Sequence, residues 1–150
     1  MDTGAGKSVT SAKTAAGYTI RPSAGSKAGQ RFIGPGDERY PNKGEVTLRF
    51  DTEESLPLCG DFQVADGLSK TLAAVSDSCD KGNLGFFDND GSYLIRRDSP
   101  EGREMIRLAA LATRKVKLYR KNGTYLLPLW LKEEKADAKE SLFTRQGDNK

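Results

Sequence analysis

Turn-forming residues cluster in one stretch of this chain so densely that they argue there for successive turns and not for a helix. Residues 34–45 read GPGDERYPNKGE, with Gly34, Pro35, Gly36, Asp37, Pro41, Asn42 and Gly44. Proline lacks an amide donor and glycine tolerates left-handed backbone, so this stretch predicts successive turns. Residues 45–50 (EVTLRF) then alternate polar and apolar side chains, the period of a half-buried strand. Residues 51–57 read as an acidic connection, and 61–65 (DFQVA) as another strand. Extended runs at 84–87 and 92–96 flank the turn Asp88-Asn89-Asp90-Gly91 and predict a β-hairpin. A second hairpin is predicted from 115–119 and 124–131 around Lys121-Asn122-Gly123. Residues 17–20 form a short extended candidate, 22–29 are small and flexible in type, and 30–34 lead into the turns. The one helix expected spans 68–81. Leu68, Leu72 and Val75 fall at helical spacing, and Gly82 stands where a C-terminal glycine would. Residues 105–111 fit helix or strand. The reading is a mainly β domain with one short helix over 1–131, and a charged, disordered tail at 132–150.

The composition narrows the chemistry. The chain has 150 residues, enough for one domain or one subunit of a small oligomer. It is 36% hydrophobic and 30% charged, which predicts a small core or one completed by a partner. Histidine is absent. Ser-His-Asp and Cys-His catalysis therefore lack their base, and His-ligated zinc is excluded. Cys59 and Cys79 alone cannot make a structural zinc site, and they read as small buried hydrophobes or inert thiols. Acid–base work must come from carboxylates, Lys or Tyr. No apolar run reaches the ~20 residues of a membrane span. The N-terminus has no apolar signal core, so a reduced, cytoplasmic setting is expected.

Charge is unevenly spread. Residues 1–50 carry a net +4, residues 51–90 a net −7 and residues 91–150 a net +6. The stretch 105–132 contains no acid. A solvated strand face explains it in the ordinary way, and an RNA footprint is the alternative.

Three motifs carry candidate chemistry. Gly6-Lys7-Ser8 matches the end of a phosphate-binding loop, but such a loop needs a glycine where Met1 stands and a strand before it. Asp88-Asn89-Asp90-Gly91 has the residue types of a calcium loop, but Phe86 occupies a ligand position, so a hairpin turn is the better reading. Asp2-Thr3-Gly4-Ala5 is the third. A short carboxylate on a tight turn, with a hydroxyl bonding to backbone and a glycine permitting close approach, suits two such loops facing across a twofold axis.

The order of elements resembles the protease region of copia-type retrotransposon polyproteins and related retropepsin-like domains. The matching pieces are Asp2-Thr3-Gly4-Ala5, Leu72-Ala73-Ala74-Val75-Ser76, Asp80-Lys81-Gly82, Phe87-Asp88 and Gly123-Thr124-Tyr125-Leu126. The resemblance covers roughly residues 2–131, as a pattern and not as close identity. It implies a small closed β-barrel with one short helix, active as a homodimer on a polypeptide substrate. Asp2 of each subunit would be the catalytic carboxylate, and Thr3, Gly4 and Ala5 would support the active-site loop. Gly34, Gly36 and Asp37 would belong to a flap. No metal or cofactor is implied. The implied setting is cytoplasmic, within retroelement particles. The apolar strand that leads into the Asp in that family has no counterpart here, where Met1 alone precedes it. A catalytically inactive retroelement-derived binding module, RNA-associated through the basic C-terminal half, is the alternative.

Overall fold

The computed structural model describes residues 1 and 4–130. In chain order its elements are β1 (Val9–Ser11), α1 (Ala24–Lys27), β2 (Arg31–Ile33), β3 (Arg39–Asp51), β4 (Pro57–Ala65), α2 (Val75–Asp80), β5 (Asn83–Phe86), β6 (Tyr93–Arg96), α3 (Pro100–Leu111), β7 (Tyr119–Lys121) and β8 (Thr124–Leu126). Strands dominate, as expected. The main sheet has four strands in the order β1-β4-β3-β2. β5 with β6, and β7 with β8, make two separate hairpins. No closed barrel is found among the described residues.

The sheet follows from alternation. Along β3, Asn42, Gly44, Val46 and Leu48 turn inward while Arg39, Pro41, Lys43 and Arg49 stay exposed. β3 and β4 run antiparallel from Asn42↔Ala65 to Asp51↔Pro57, with the acidic connection turning between them. Val46, Leu48, Phe62 and Val64 thereby meet on one face, and Ala15 and Ala73 close over them. This is a small core, as the composition predicts. Each of these larger side chains contributes about 1.5–3 kcal/mol by leaving water. Around it lies a buried polar rim. Gln63 Oε1 accepts from Ser23 Oγ at 2.8 Å and from Asn42 Nδ2 at 2.9 Å.

Several expectations change. The turns predicted over 34–45 are confined to the stretch before Arg39, because β3 is held by β2 on one side and β4 on the other. The proline is accommodated because the Pro41 carbonyl faces Asp66, just past the end of β4, where no ladder donor is required. The strand absorbs its extra residue between Asn42 and Gly44. Gly44 has φ +135°, and a side chain there would strike the Arg21 carbonyl, so the bulge needs glycine.

The helix expected over 68–81 exists only as α2, from Val75. Leu72 is extended and paired with Val9, which takes the first half of the apolar pattern into the sheet. The predicted glycine does end it, since Gly82 has φ +84° and its amide donates to Cys79 O. Residues 22–29, expected flexible, contain α1, closed by a reciprocal Ser23–Ser26 capping box. Residues 105–111, left open between helix and strand, lie in α3. Ser99 caps it by accepting from the Gly102 amide at 3.0 Å, with Pro100 in the first turn. Finally, Cys59 is exposed on β4 and not a buried hydrophobe, while Cys79 is half-buried. β1 carries no alternating signal and was outside the predicted strands. The tail at 132–150 lies outside the described residues.

Two substitutions test this packing. Val64→Ala removes two methyl groups from a fully buried site, and is expected to cost about 2 kcal/mol, read as a lower urea midpoint at unchanged slope. Ser76 Oγ is buried with no hydrogen-bond partner. Ser76→Ala is therefore expected to raise stability by up to about 1 kcal/mol in the same assay, because it deletes an unpaired polar group.

Candidate functional site

The loop of residues 4–8 is anchored by contacts from several elements. It enters β1, which is only three residues long but is held on both sides. β1 runs parallel to β4, with Val9 opposite Gln63 and Thr10 opposite Val64. On its other side Val9 N donates to Leu72 O at 2.9 Å and Leu72 N donates to Val9 O at 2.8 Å. Thr10 Oγ1 and Thr71 Oγ1 share a hydrogen bond of 2.8 Å beside that pairing.

Ser8 is the hinge pin between loop and strand. It is buried, and each of its polar groups is engaged. Its amide donates to Asp77 Oδ2 at 2.6 Å, its Oγ accepts from the Ala74 amide at 3.0 Å, and its carbonyl accepts from the Gln63 amide at 2.9 Å. Lys7 Nζ stands 3.4 Å from the other oxygen of Asp77. Asp77 is in the first turn of α2, so one carboxylate ties the loop to the start of that helix.

Gly6 meets the far end of the chain. A Cβ built on Gly6 would lie 2.8 Å from the Asn122 carbonyl oxygen, and one built on Gly123 would strike the Gly6 carbonyl. The two backbones touch directly, and Gly123 also has φ +79°. This is the Asn-Gly turn that the sequence marks as a hairpin. β7 and β8 flank it, but β7 holds 119–121 where 115–119 was expected, and β8 holds 124–126 of the expected 124–131.

The hairpin is in turn fixed to α2. Arg120 forks onto Asp80 with Nη1–Oδ1 at 2.6 Å and Nη2–Oδ2 at 2.7 Å. The Arg120 guanidinium, helped by Lys7, holds the Asp80 carboxyl below its ordinary value. The Asp80 carboxylate raises the Arg120 guanidinium in return. A hydrogen bond with the Cys79 thiol, with partial burial, pushes the Tyr125 hydroxyl up.

The sequence-derived site residues divide as follows. Asp2 and Thr3 lie outside the described residues. Gly4 is exposed and Ala5 half-buried, at the open end of the anchored loop. Gly34, Gly36 and Asp37 form the tip of the β2–β3 hairpin. Gly34 N donates to Glu38 O at 2.8 Å, Gly36 N to Glu38 Oε2 at 2.9 Å and Asp37 N to Gly34 O at 3.1 Å. Asp37 adopts φ +62° there. Gly6-Lys7-Ser8 does not act as a phosphate loop. A strand and not a helix follows it, Lys7 is engaged by Asp77, and Ser8 Oγ is engaged by Ala74. Asp88–Gly91 connects β5 to β6 as a hairpin turn. Sequence reasoning gave no role to Asp77 or Arg120 and named Asp80 only within Asp80-Lys81-Gly82, because their partners lie far away in the chain and leave no local pattern.

No helix among the described residues is long and apolar enough to cross a membrane. The chain matches no protein-family model, no curated protein and no solved structure.

Ser8→Ala is expected to leave the Ala74 amide buried and unpaired, costing about 1–3 kcal/mol in chemical denaturation. A second expectation concerns pH. Because Asp80 is lowered in the fold, its share of hairpin docking is present above the ordinary Asp value of about 3.9 and is lost as pH falls through the folded value. In an NMR carboxyl titration Asp80 is expected to titrate below its ordinary value, and Arg120→Gln to raise it.

Proposed function

We propose that the chain is one subunit of a retropepsin-like aspartic endopeptidase that cleaves a polypeptide, in the manner of retroelement polyprotein processing. One observation carries this reading. The segment directly after Asp2-Thr3 is seated from three directions, by β4 and Leu72, by α2, and by the β7–β8 turn. An ordinary polar turn needs no such seating, whereas a carboxylate that must face its symmetry mate does.

The chemistry follows from two carboxylates brought close together. They cannot both ionise readily, so they share one proton and titrate as a pair. The ionised Asp2 takes a proton from a water that attacks the peptide carbonyl. The partner subunit's Asp2, protonated, donates to the developing oxyanion. Neither histidine nor metal enters these steps. Thr3 braces the two loops, Gly4 lets them approach and Ala5 packs beneath. The β2–β3 hairpin, with Gly34, Gly36 and Asp37 at its tip, serves as the flap. The homodimer supplies the second carboxylate. We place the activity in the cytoplasm, within retroelement particles.

The RNA-binding alternative draws on the acid-free stretch 105–132. Arg107, Lys115 and Arg120 in that stretch are already engaged, by Glu104, by the Ala109 and Ala110 carbonyls and by Asp80. No observation in the fold favours it.

The reading is tested with the purified chain and a library of fluorogenic peptides at pH 4–7. Cleavage is expected on the acidic side, with specific activity rising with protein concentration as dimers form. Asp2→Asn is expected to abolish cleavage with an unchanged circular dichroism spectrum. Cleavage that persists in Asp2→Asn overturns the assignment.

A further inference from the structure

We propose that the β7–β8 hairpin is a positioning element for the loop of residues 4–8, acting through the Asn122-Gly123 turn on Gly6. Three observations lead there. First, the contact is backbone on backbone from both sides. A methyl group on Gly6 would stand 2.8 Å from Asn122 O, and one on Gly123 would run into Gly6 O. Glycine at both places lets the hairpin tip reach the loop and stop its sideways movement.

Second, the hairpin has no sheet of its own to belong to. β7 and β8 have three residues each and, among the described residues, pair only with one another. A two-stranded ribbon of that size is marginal alone. Its position is set instead by the fork of Arg120 on Asp80, in α2.

Third, α2 serves loop and hairpin with side chains one turn apart. Asp77 grips Ser8 N and Lys7, and Asp80 grips Arg120. Residues three apart share a helix face. Loop, helix and hairpin therefore close a triangle. Asp77 is the first corner contact, Asp80 the second and the Gly6–Gly123 approach the third. Removing the hairpin contact takes away the stop at Gly6 and loosens the hold of Asp77 on the Ser8 amide.

This inference rests on the protease reading for its kinetic consequence alone. The test uses the full chain with Gly6→Ala, Arg120→Gln and Arg120→Lys. Gly6 does not have a left-handed backbone, so Gly6→Ala disturbs the contact and not the loop's own conformation. Exchange of the Ser8 amide, measured by NMR, reports loop seating without reference to activity. Peptide cleavage reports positioning.

Gly6→Ala is expected to speed Ser8 exchange several-fold and to lower kcat by about tenfold or more while KM stays within about twofold, the signature of a misplaced catalytic group. Arg120→Gln is expected to do the same more weakly, and Arg120→Lys to recover part of the loss because a cation is restored without the fork. Wild-type exchange and wild-type kcat in both Gly6→Ala and Arg120→Gln overturn the proposal. So does a KM rise at unchanged kcat, which would make the hairpin a substrate contact. Should Gly6→Ala fail to fold, the Arg120 pair decides by the same readouts. If the wild-type chain cleaves no peptide, the protease reading falls, and Ser8 exchange alone settles the role of the hairpin.

Discussion

The pairing of Val9 with Leu72 is the constraint on which the N-terminal end of the molecule depends. Two backbone hydrogen bonds, 2.9 and 2.8 Å, join residues more than sixty apart in the chain. Closing that interval costs chain entropy, though the cost grows only slowly with length. It is offset because the Leu72 bridge covers the outer side of the edge strand β1, with Val9 and Thr10 buried and the Ser8 carbonyl satisfied by Gln63. The same pairing delays the start of α2 to Val75 and brings the Ala74 amide to Ser8 Oγ. Loop seating and helix start are thus one event.

The uneven charge of the sequence finds its use here. The acidic middle of the chain is gripped from both basic ends. Lys7 pairs with Asp77, Lys43 with Asp66 and Arg120 with Asp80. Exposed ion pairs of this kind contribute little each, about 0–1 kcal/mol. Their value lies in register. The fork of Arg120 admits one orientation of the hairpin over α2, and so decides where the Asn122-Gly123 turn arrives.

What could be read from the sequence was what local chemistry writes down. The alternation in 45–50, the two hairpin turns and the glycine after α2 are each set by neighbours in the chain, and each is present. The errors lie where distant partners decide. Leu68, Leu72 and Val75 have helical spacing, but Leu72 is claimed by Val9. Pro41 and Asn42 have the composition of a turn, but β2 and β4 stretch them into a strand. The helix at Pro100 had a legible start in Ser99-Pro100-Glu101, which the ambiguous run at 105–111 obscured. For the candidate site, the sequence marks only the motif Asp2-Thr3-Gly4-Ala5, next to the loop of residues 4–8. The supports of that loop were not legible, because Asp77, Asp80 and Arg120 are ordinary surface charges until the fold brings their partners to them.

The meeting of Gly6 with Gly123 also fixes an order in time. Synthesis releases residues 4–8 from the ribosome well before the hairpin, and domains fold as units once complete. The loop therefore waits, unseated on one side, until residues 119–126 have emerged. Its last support is also the latest to be made, so loop seating reports that the described fold is whole.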